Sequence, residues 1–234
     1  MKRTAFLGSA AVLALSAGNA LAATPSVMGH GTPHKVISNT SGLVTLYDQT
    51  SDELSRGISS QNFGSPDTLY DDQAADDFVV PSGHRWIIKE VDVPGVNYGS
   101  HAASSLNVIF YKNKRGWREP GRVVAECDNR SSAGYNGNGG YAIKLKIKTC
   151  ASKPKLGAGH YWVSVVANQN FSTDSQWFWT LNGTIHNDAA VWQNPDPANG
   201  CCGICPTWCT TFSLLGYSAD LAFTLKGSSK SARR

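Results

Sequence analysis

Apolar and polar positions alternate most cleanly at Tyr141–Lys148. Tyr141, Ile143, Leu145 and Ile147 fall on one side of a period of two, and Lys144, Lys146 and Lys148 on the other. That is the pattern of a strand buried on one face and wet on the other. Short runs rich in Val, Ile, Phe, Tyr and Trp recur along the chain, separated by Gly, Pro, Asn and Ser. They predict strands at Leu43–Tyr47, Ala75–Val80, Trp86–Val93, Leu106–Lys112, Arg122–Glu126, Tyr141–Thr149, Tyr161–Ala167, Gln176–Leu181, Ala190–Gln193 and Ala219–Leu225. Beyond residue 22 no segment sustains a helical period, and Asp48–Ser60 is the one stretch assigned to a short helix. Many short strands with turn signals between them predict an all-β fold, an antiparallel β-sandwich with jelly-roll winding. The sandwich is expected over residues 40–227, after a mobile arm at 23–39 and before a basic, disordered tail at 228–234. Ser131–Gly140 reads as a flexible glycine-rich loop.

The first 22 residues follow a different logic. Lys2 and Arg3 form a positive head, Ala5–Ala17 is largely apolar, and Ala20-Leu21-Ala22 offers small residues before a cut. This is a secretory signal peptide, too short for a membrane span. The product is expected to be secreted or periplasmic. No later apolar run reaches membrane-spanning length. The formal charge of +4 is spread along the chain rather than gathered into one tract, so nucleic acid is not an expected partner.

Export gives the six cysteines a meaning, because disulfides persist outside the cytosol. Cys127 and Cys150 are expected to pair across the glycine-rich loop, which would stabilise the fold by roughly 3 kcal/mol. Cys201, Cys202, Cys205 and Cys209 allow two unstrained pairings: Cys201–Cys205 with Cys202–Cys209, or Cys201–Cys209 with Cys202–Cys205. A bridge between the adjacent Cys201 and Cys202 is strained and is set aside. Cys202-x-x-Cys205 has zinc-like spacing, but no second, distant ligand pair accompanies it.

Several segments together resemble a known group. They are Ala75-Asp-Asp-Phe-Val-Val-Pro-Ser-Gly83, Gly159-His-Tyr-Trp-Val-Ser-Val165, Ala190-Val-Trp-Gln-Asn-Pro195, Cys205-Pro-Thr-Trp-Cys-Thr-Thr211 and Asp220-Leu-Ala-Phe-Thr-Leu-Lys-Gly227. The chain is similar to secreted bacterial β-sandwich proteins of the kind often found with a PEP-CTERM-type sorting anchor. The resemblance spans about Leu43–Gly227, and this chain lacks the Pro-Glu-Pro motif, apolar span and basic stop of anchored members. It implies a fold and an exported location, and no catalytic residues.

Two constellations point to chemistry. Asp71, Asp72, Asp76 and Asp77, joined by Asp220 if the chain ends pair, offer the hard oxygen ligands that calcium takes. Trp177 and Trp179 share a strand face, and with Trp192 they would form an aromatic platform for sugar rings if that face is exposed. Motifs of nucleophilic or zinc-dependent hydrolysis are absent, and His84, His101, His160 and His186 are dispersed. The expected function is a non-catalytic binding or surface-structural module with polysaccharide as the preferred ligand. The alternatives are a secreted hydrolase of cell-wall or exogenous polymer and a calcium-binding extracellular structural protein.

Overall fold

Alternate side chains of the segment from Gln73 to Val93 face opposite ways, and over Ala74–Phe78 both faces are covered. Ala74, Phe78 and Val80 enter the main core, while Ala75 packs with Tyr111, Trp162 and Val191 on the other face. The computed structural model describes residues 24–33, 36, 42–133, 139–146, 148, 150–195 and 204–231. The leader, Cys201, Cys202 and the tip of the glycine-rich loop lie outside them.

The strands are β1 (Met28–His30), β2 (Val44–Gln49), β3 (Glu53–Ser59), β4 (Gln61–Asn62), β5 (Gln73–Val93), β6 (Gly95–Asn97), β7 (Ser105–Asn113) and β8 (Pro120–Arg130). Then follow β9 (Ser132–Ala133), β10 (Tyr141–Lys144), β11 (Lys155–Asn168), β12 (Trp177–Asn182), β13 (Val191–Gln193), β14 (Cys209–Thr210), β15 (Asp220–Leu221) and β16 (Phe223–Ser231). Two single-turn helices, α1 (Phe171–Asp174) and α2 (Thr211–Leu215), sit in connections.

These strands build two sheets that pack face to face as a β-sandwich. The larger runs β14-β13-β5-β11-β7-β8, with β10 and β16 also on β5 and β2 on β16. The smaller runs β1-β3-β12-β15, with β6 beside β12. Pairing is antiparallel apart from the short β4–β11 contact at Gln61 and Asn62. Aromatic side chains join the layers. Trp179 of the smaller sheet meets Phe223 of the larger edge-on at 6.3 Å, and Phe78 lies within 6.5 Å of Trp86, Phe110, Tyr161 and Phe223. Ring pairs of this kind add roughly 0.5–1.5 kcal/mol each beyond the area they bury.

The expected strands are found in whole or in part: Tyr141–Thr149 is strand only at Tyr141–Lys144, and Ala219–Leu225 is divided between β15 of the smaller sheet and β16 of the larger. Ala75–Val80 and Trp86–Val93 are parts of one strand. Pro81-Ser82-Gly83, which lies between the two expected strands, is absorbed in a bulge where the β5–β11 register jumps from Val80↔Gly159 to Arg85↔Gly157. Gly83 takes φ +76° there, in the left-handed region that favours glycine. Asp48–Ser60 is not helical. Glu53–Ser59 is a strand held between β1 and β12, because pairing on both edges outweighs weak local preference. The arm and tail are also partly ordered: Met28–His30 pairs with Arg56–Ile58, and β16 continues to Ser231 opposite His84.

Cys127 and Cys150 are bonded as expected, with Cys127 wholly buried. The second disulfide corrects the sequence reading. It joins Cys205 to Cys209, a pair that neither favoured arrangement contains. The turn between them, with Cys205 at φ 52°, brings their Cα atoms to 5.6 Å, within bridging range. Two disulfides fit a compartment outside the reducing cytosol. Among the described residues no helix is long and apolar enough to cross a membrane.

Candidate metal centre

The three tryptophans proposed as a sugar platform are core residues. Trp177 and Trp179 are 0% exposed and Trp192 1%. All six residues of β12 are buried, because the strand lies between β3 on one edge and β6 and β15 on the other, with both faces covered. Phe178, on the opposite face from the tryptophans, lies under Tyr98 at 4.8 Å. Each indole N–H is also used: Trp177 Nε1 donates to Gly139 O at 2.7 Å, Trp179 Nε1 to Ala222 O at 2.7 Å and Trp192 Nε1 to Ser59 O at 3.0 Å. No face of these rings is left for a ligand.

The five aspartates divide into two groups. Asp71 and Asp72 cap the backbone around β4. Asp71 Oδ1 accepts from Phe63 N at 2.6 Å, and Asp72 Oδ1 accepts from Gln61 N at 2.7 Å. Burial raises the Asp72 carboxyl well above its ordinary range. Among the described residues neither belongs to a cluster of metal-ligating side chains. Asp76, Asp77 and Asp220, by contrast, interact electrostatically with one another. They lie where one edge of β5 is unpaired by strand, between β13, which begins opposite Ala75, and β16, which ends opposite His84.

Adjacent positions on β5 point to opposite faces. Asp76 faces the core, fully buried. Its Oδ2 accepts from Gln49 Nε2 and Leu221 N, both at 2.6 Å, and its Oδ1 accepts from Asp77 N at 2.8 Å. Asp77 faces the outer side of the larger sheet. There the register sets Asp77 opposite Trp162 and His160 opposite Val79, so Asp77 and His160 are diagonal neighbours on one face. His160 Nε2 is paired with Asp77 Oδ2. Gly159, at φ +143° beside the bulge, shapes the turn of backbone that presents His160. The imidazole stacks on Trp162 at 6.1 Å, and Trp162 Nε1 donates to Asn113 Oδ1 at 2.8 Å, so the ring is held in orientation.

The β12–β13 loop supplies the third member. His186 N donates to Asp220 Oδ2 at 2.5 Å, and Asp188 N points at the Asp77 carboxylate at 3.3 Å and 3.4 Å. Asp188 Oδ2 then lies 4.0 Å from His160 Nε2, while its Oδ1 is 3.1 Å from the exposed Arg118. One donor atom each from Asp77, His160 and Asp188 falls within 4.8 Å of the other two. Asp220 is fully buried, its Oδ1 makes no hydrogen bond among the described residues, and His186 Nδ1, also without a hydrogen bond there, lies in ion-pair range of Asp220 Oδ2 at 3.4 Å.

Burial pushes the carboxyls of Asp76, Asp77 and Asp220 upward, Asp220 to about 8. For Asp76 the negative neighbours Asp220 and Asp77 add to the effect, and for Asp77 the His160 partner opposes it. A cation would relieve the same repulsion. Two carboxylates and an imidazole suit a borderline divalent ion such as zinc, which takes nitrogen and oxygen donors. Calcium takes oxygen alone, so the imidazole argues against the calcium set expected from the aspartates. Among the described residues the hydrogen-bond partner of His160 Nε2 is Asp77 Oδ2.

His160 and His186 stand out in the sequence only as dispersed histidines, and Asp188 carries no signal there. Nothing in the order of residues links positions 77, 160 and 188; the strand register does. Compared with known proteins, the chain matches no family model, no curated protein and no solved structure.

Proposed function

We propose that this protein is an exported, non-catalytic β-sandwich module that binds a divalent transition-metal ion through Asp77, His160 and Asp188. The observation that carries the reading is the convergence of their three donor atoms, one on a fully buried carboxylate, within 4.8 Å. The ion ties the β12–β13 loop to β5 and β11 and so clamps the unpaired stretch of β5. Binding displaces the proton held between His160 and Asp77, and Arg118 releases Asp188 to the ion. Export is supported by the leader-like first 22 residues, the resemblance to secreted sandwich proteins and the two disulfides.

Thermal melting of the purified, chelator-treated protein tests this. Zinc at about 100 times its Kd should add about 2.7 kcal/mol, a rise of roughly 5–10 °C for a chain of this size. Calcium should move the midpoint little. His160→Gln and Asp188→Asn should each abolish the zinc shift. A midpoint indifferent to zinc, manganese and chelator alike would remove the proposal.

A further inference from the structure

We propose that a groove with an apolar floor and amide-bearing walls on the outer face of the larger sheet binds a neutral polysaccharide. The groove is separate from the metal centre and does not depend on it. Its volume is about 130 Å³, enough to seat part of one sugar ring, and it runs across β4, β11 and β7. Ile109 and Val166 form an apolar floor, and Asn62, Gln73, Asn107 and Asp71 supply polar walls. The register puts them on one face: Asn107 is opposite Val166 and Ile109 opposite Ser164.

The chemistry of the walls selects the ligand. Side-chain amides both donate to and accept from hydroxyl groups, and carboxylates accept from them. An apolar floor suits the C–H face of a pyranose ring. Among the described residues the groove lining contains Asp71 and no lysine or arginine, which disfavours sulfated or uronic polymers.

The amides are also pre-oriented. Asn62 Nδ2 donates to Asn168 Oδ1 at 2.6 Å, and Asn168 Nδ2 donates to Asn107 Oδ1 at 3.0 Å. Gln193 Nε2 donates to Gln73 Oε1 at 2.9 Å, and Gln73 Nε2 donates to Tyr111 OH at 2.7 Å and Ser164 Oγ at 3.0 Å. The Asn62 backbone oxygen accepts from Gln169 N at 3.2 Å, whereas its side-chain Oδ1 has no hydrogen-bond partner among the described residues and is available to a hydroxyl. Trp208, packed edge-on against Tyr111 at 5.9 Å and only partly buried, extends the same face with an aromatic surface. Fixed hydrogen-bonding groups bind at a lower entropic cost than mobile ones.

Affinity electrophoresis through gels carrying xylan, mannan, a soluble β-glucan, alginate or heparin tests the proposal, with thermal melting of every variant alongside. Retardation by at least one neutral polymer is expected, in chelator as well as without it. Asn62→Ala should weaken it at least tenfold, and so should Asn107→Asp, which keeps the oxygen that accepts from Asn129 N. Trp117→Ala, an exposed aromatic outside the groove, should leave it unchanged. Uniform mobility in all gels, retardation by the anionic polymers alone, or retardation that Trp117→Ala abolishes while the groove variants retain it would overturn the assignment. Because chelator is present in one arm, failure of the metal centre would not imitate failure of the groove.

Discussion

Trp179→Ala should cost about 3–5 kcal/mol in equilibrium urea unfolding, the range for emptying a buried aromatic site. The indole is 0% exposed, meets Phe223 edge-on, lies 6.3 Å from the Trp177 ring and donates to Ala222 O. Truncation therefore opens a cavity between the two sheets and leaves a backbone carbonyl unpaired. Trp177→Ala should behave similarly, because it leaves Gly139 O unpaired and removes the partner of Tyr141. Trp117→Ala provides the scale: at 60% exposure its loss should fall within about 0.5 kcal/mol. Unchanged stability in Trp179→Ala would mean that the β12 face is turned outward, which would restore the sugar platform.

The second large effect belongs to Asp76. Asp76→Ala should destabilise by roughly 3–5 kcal/mol, because it strands buried donors on Gln49, Leu221 and Asp77 that the carboxylate now satisfies. Asp76→Asn, which keeps an acceptor oxygen, should lose less. The acidic neighbourhood also fixes a pH dependence opposite in sign to ordinary acid denaturation. Asp220 is raised from 3.8 to about 8 by burial first, with Asp77 and Asp188 adding to the rise. A carboxyl raised in the folded state holds a proton that the unfolded chain has released. Its contribution is complete below about pH 4 and is lost as pH climbs through 8. The metal-free protein should therefore have a higher urea midpoint at pH 5 than at pH 8. Asp220→Asn should flatten that slope. A midpoint that rises from pH 5 to pH 8 would contradict this placement of the charges.

These residues also show what the sequence can carry. The period of two at Tyr141–Lys148 is a local signal, and β10 forms there with Leu145 N still bonded to Lys89 O beyond its end. Cys127 and Cys150 flank one loop, so their pairing is legible from spacing. The all-β class and the sandwich follow from many such signals in series. Other features depend on neighbours that are remote in the chain. Trp177-x-Trp179 guarantees a shared face but says nothing about whether that face points in or out; the second sheet decides it. Pro81 and Gly83 separate two expected strands in the sequence, and the register with β11 joins them through a bulge. Glu53–Ser59 lacks a strong period and becomes a strand through β1 and β12.

The metal centre illustrates the same limit. Asp77 is visible in an acidic run, yet its partners are 83 residues away at His160 and 111 away at Asp188. Their meeting depends on the β5–β11 register and on a loop fastened at Asp220. Asp71 and Asp72, nearer in sequence, are drawn off to cap β4.

Isothermal titration of the chelator-treated protein with zinc, in two buffers of different protonation enthalpy, tests the central claim most directly. The account predicts one ion per chain, proton release on binding, and loss of the heat signal in His160→Gln with the fold retained. Absence of binding, or binding that persists unchanged in His160→Gln and Asp188→Asn, would contradict it.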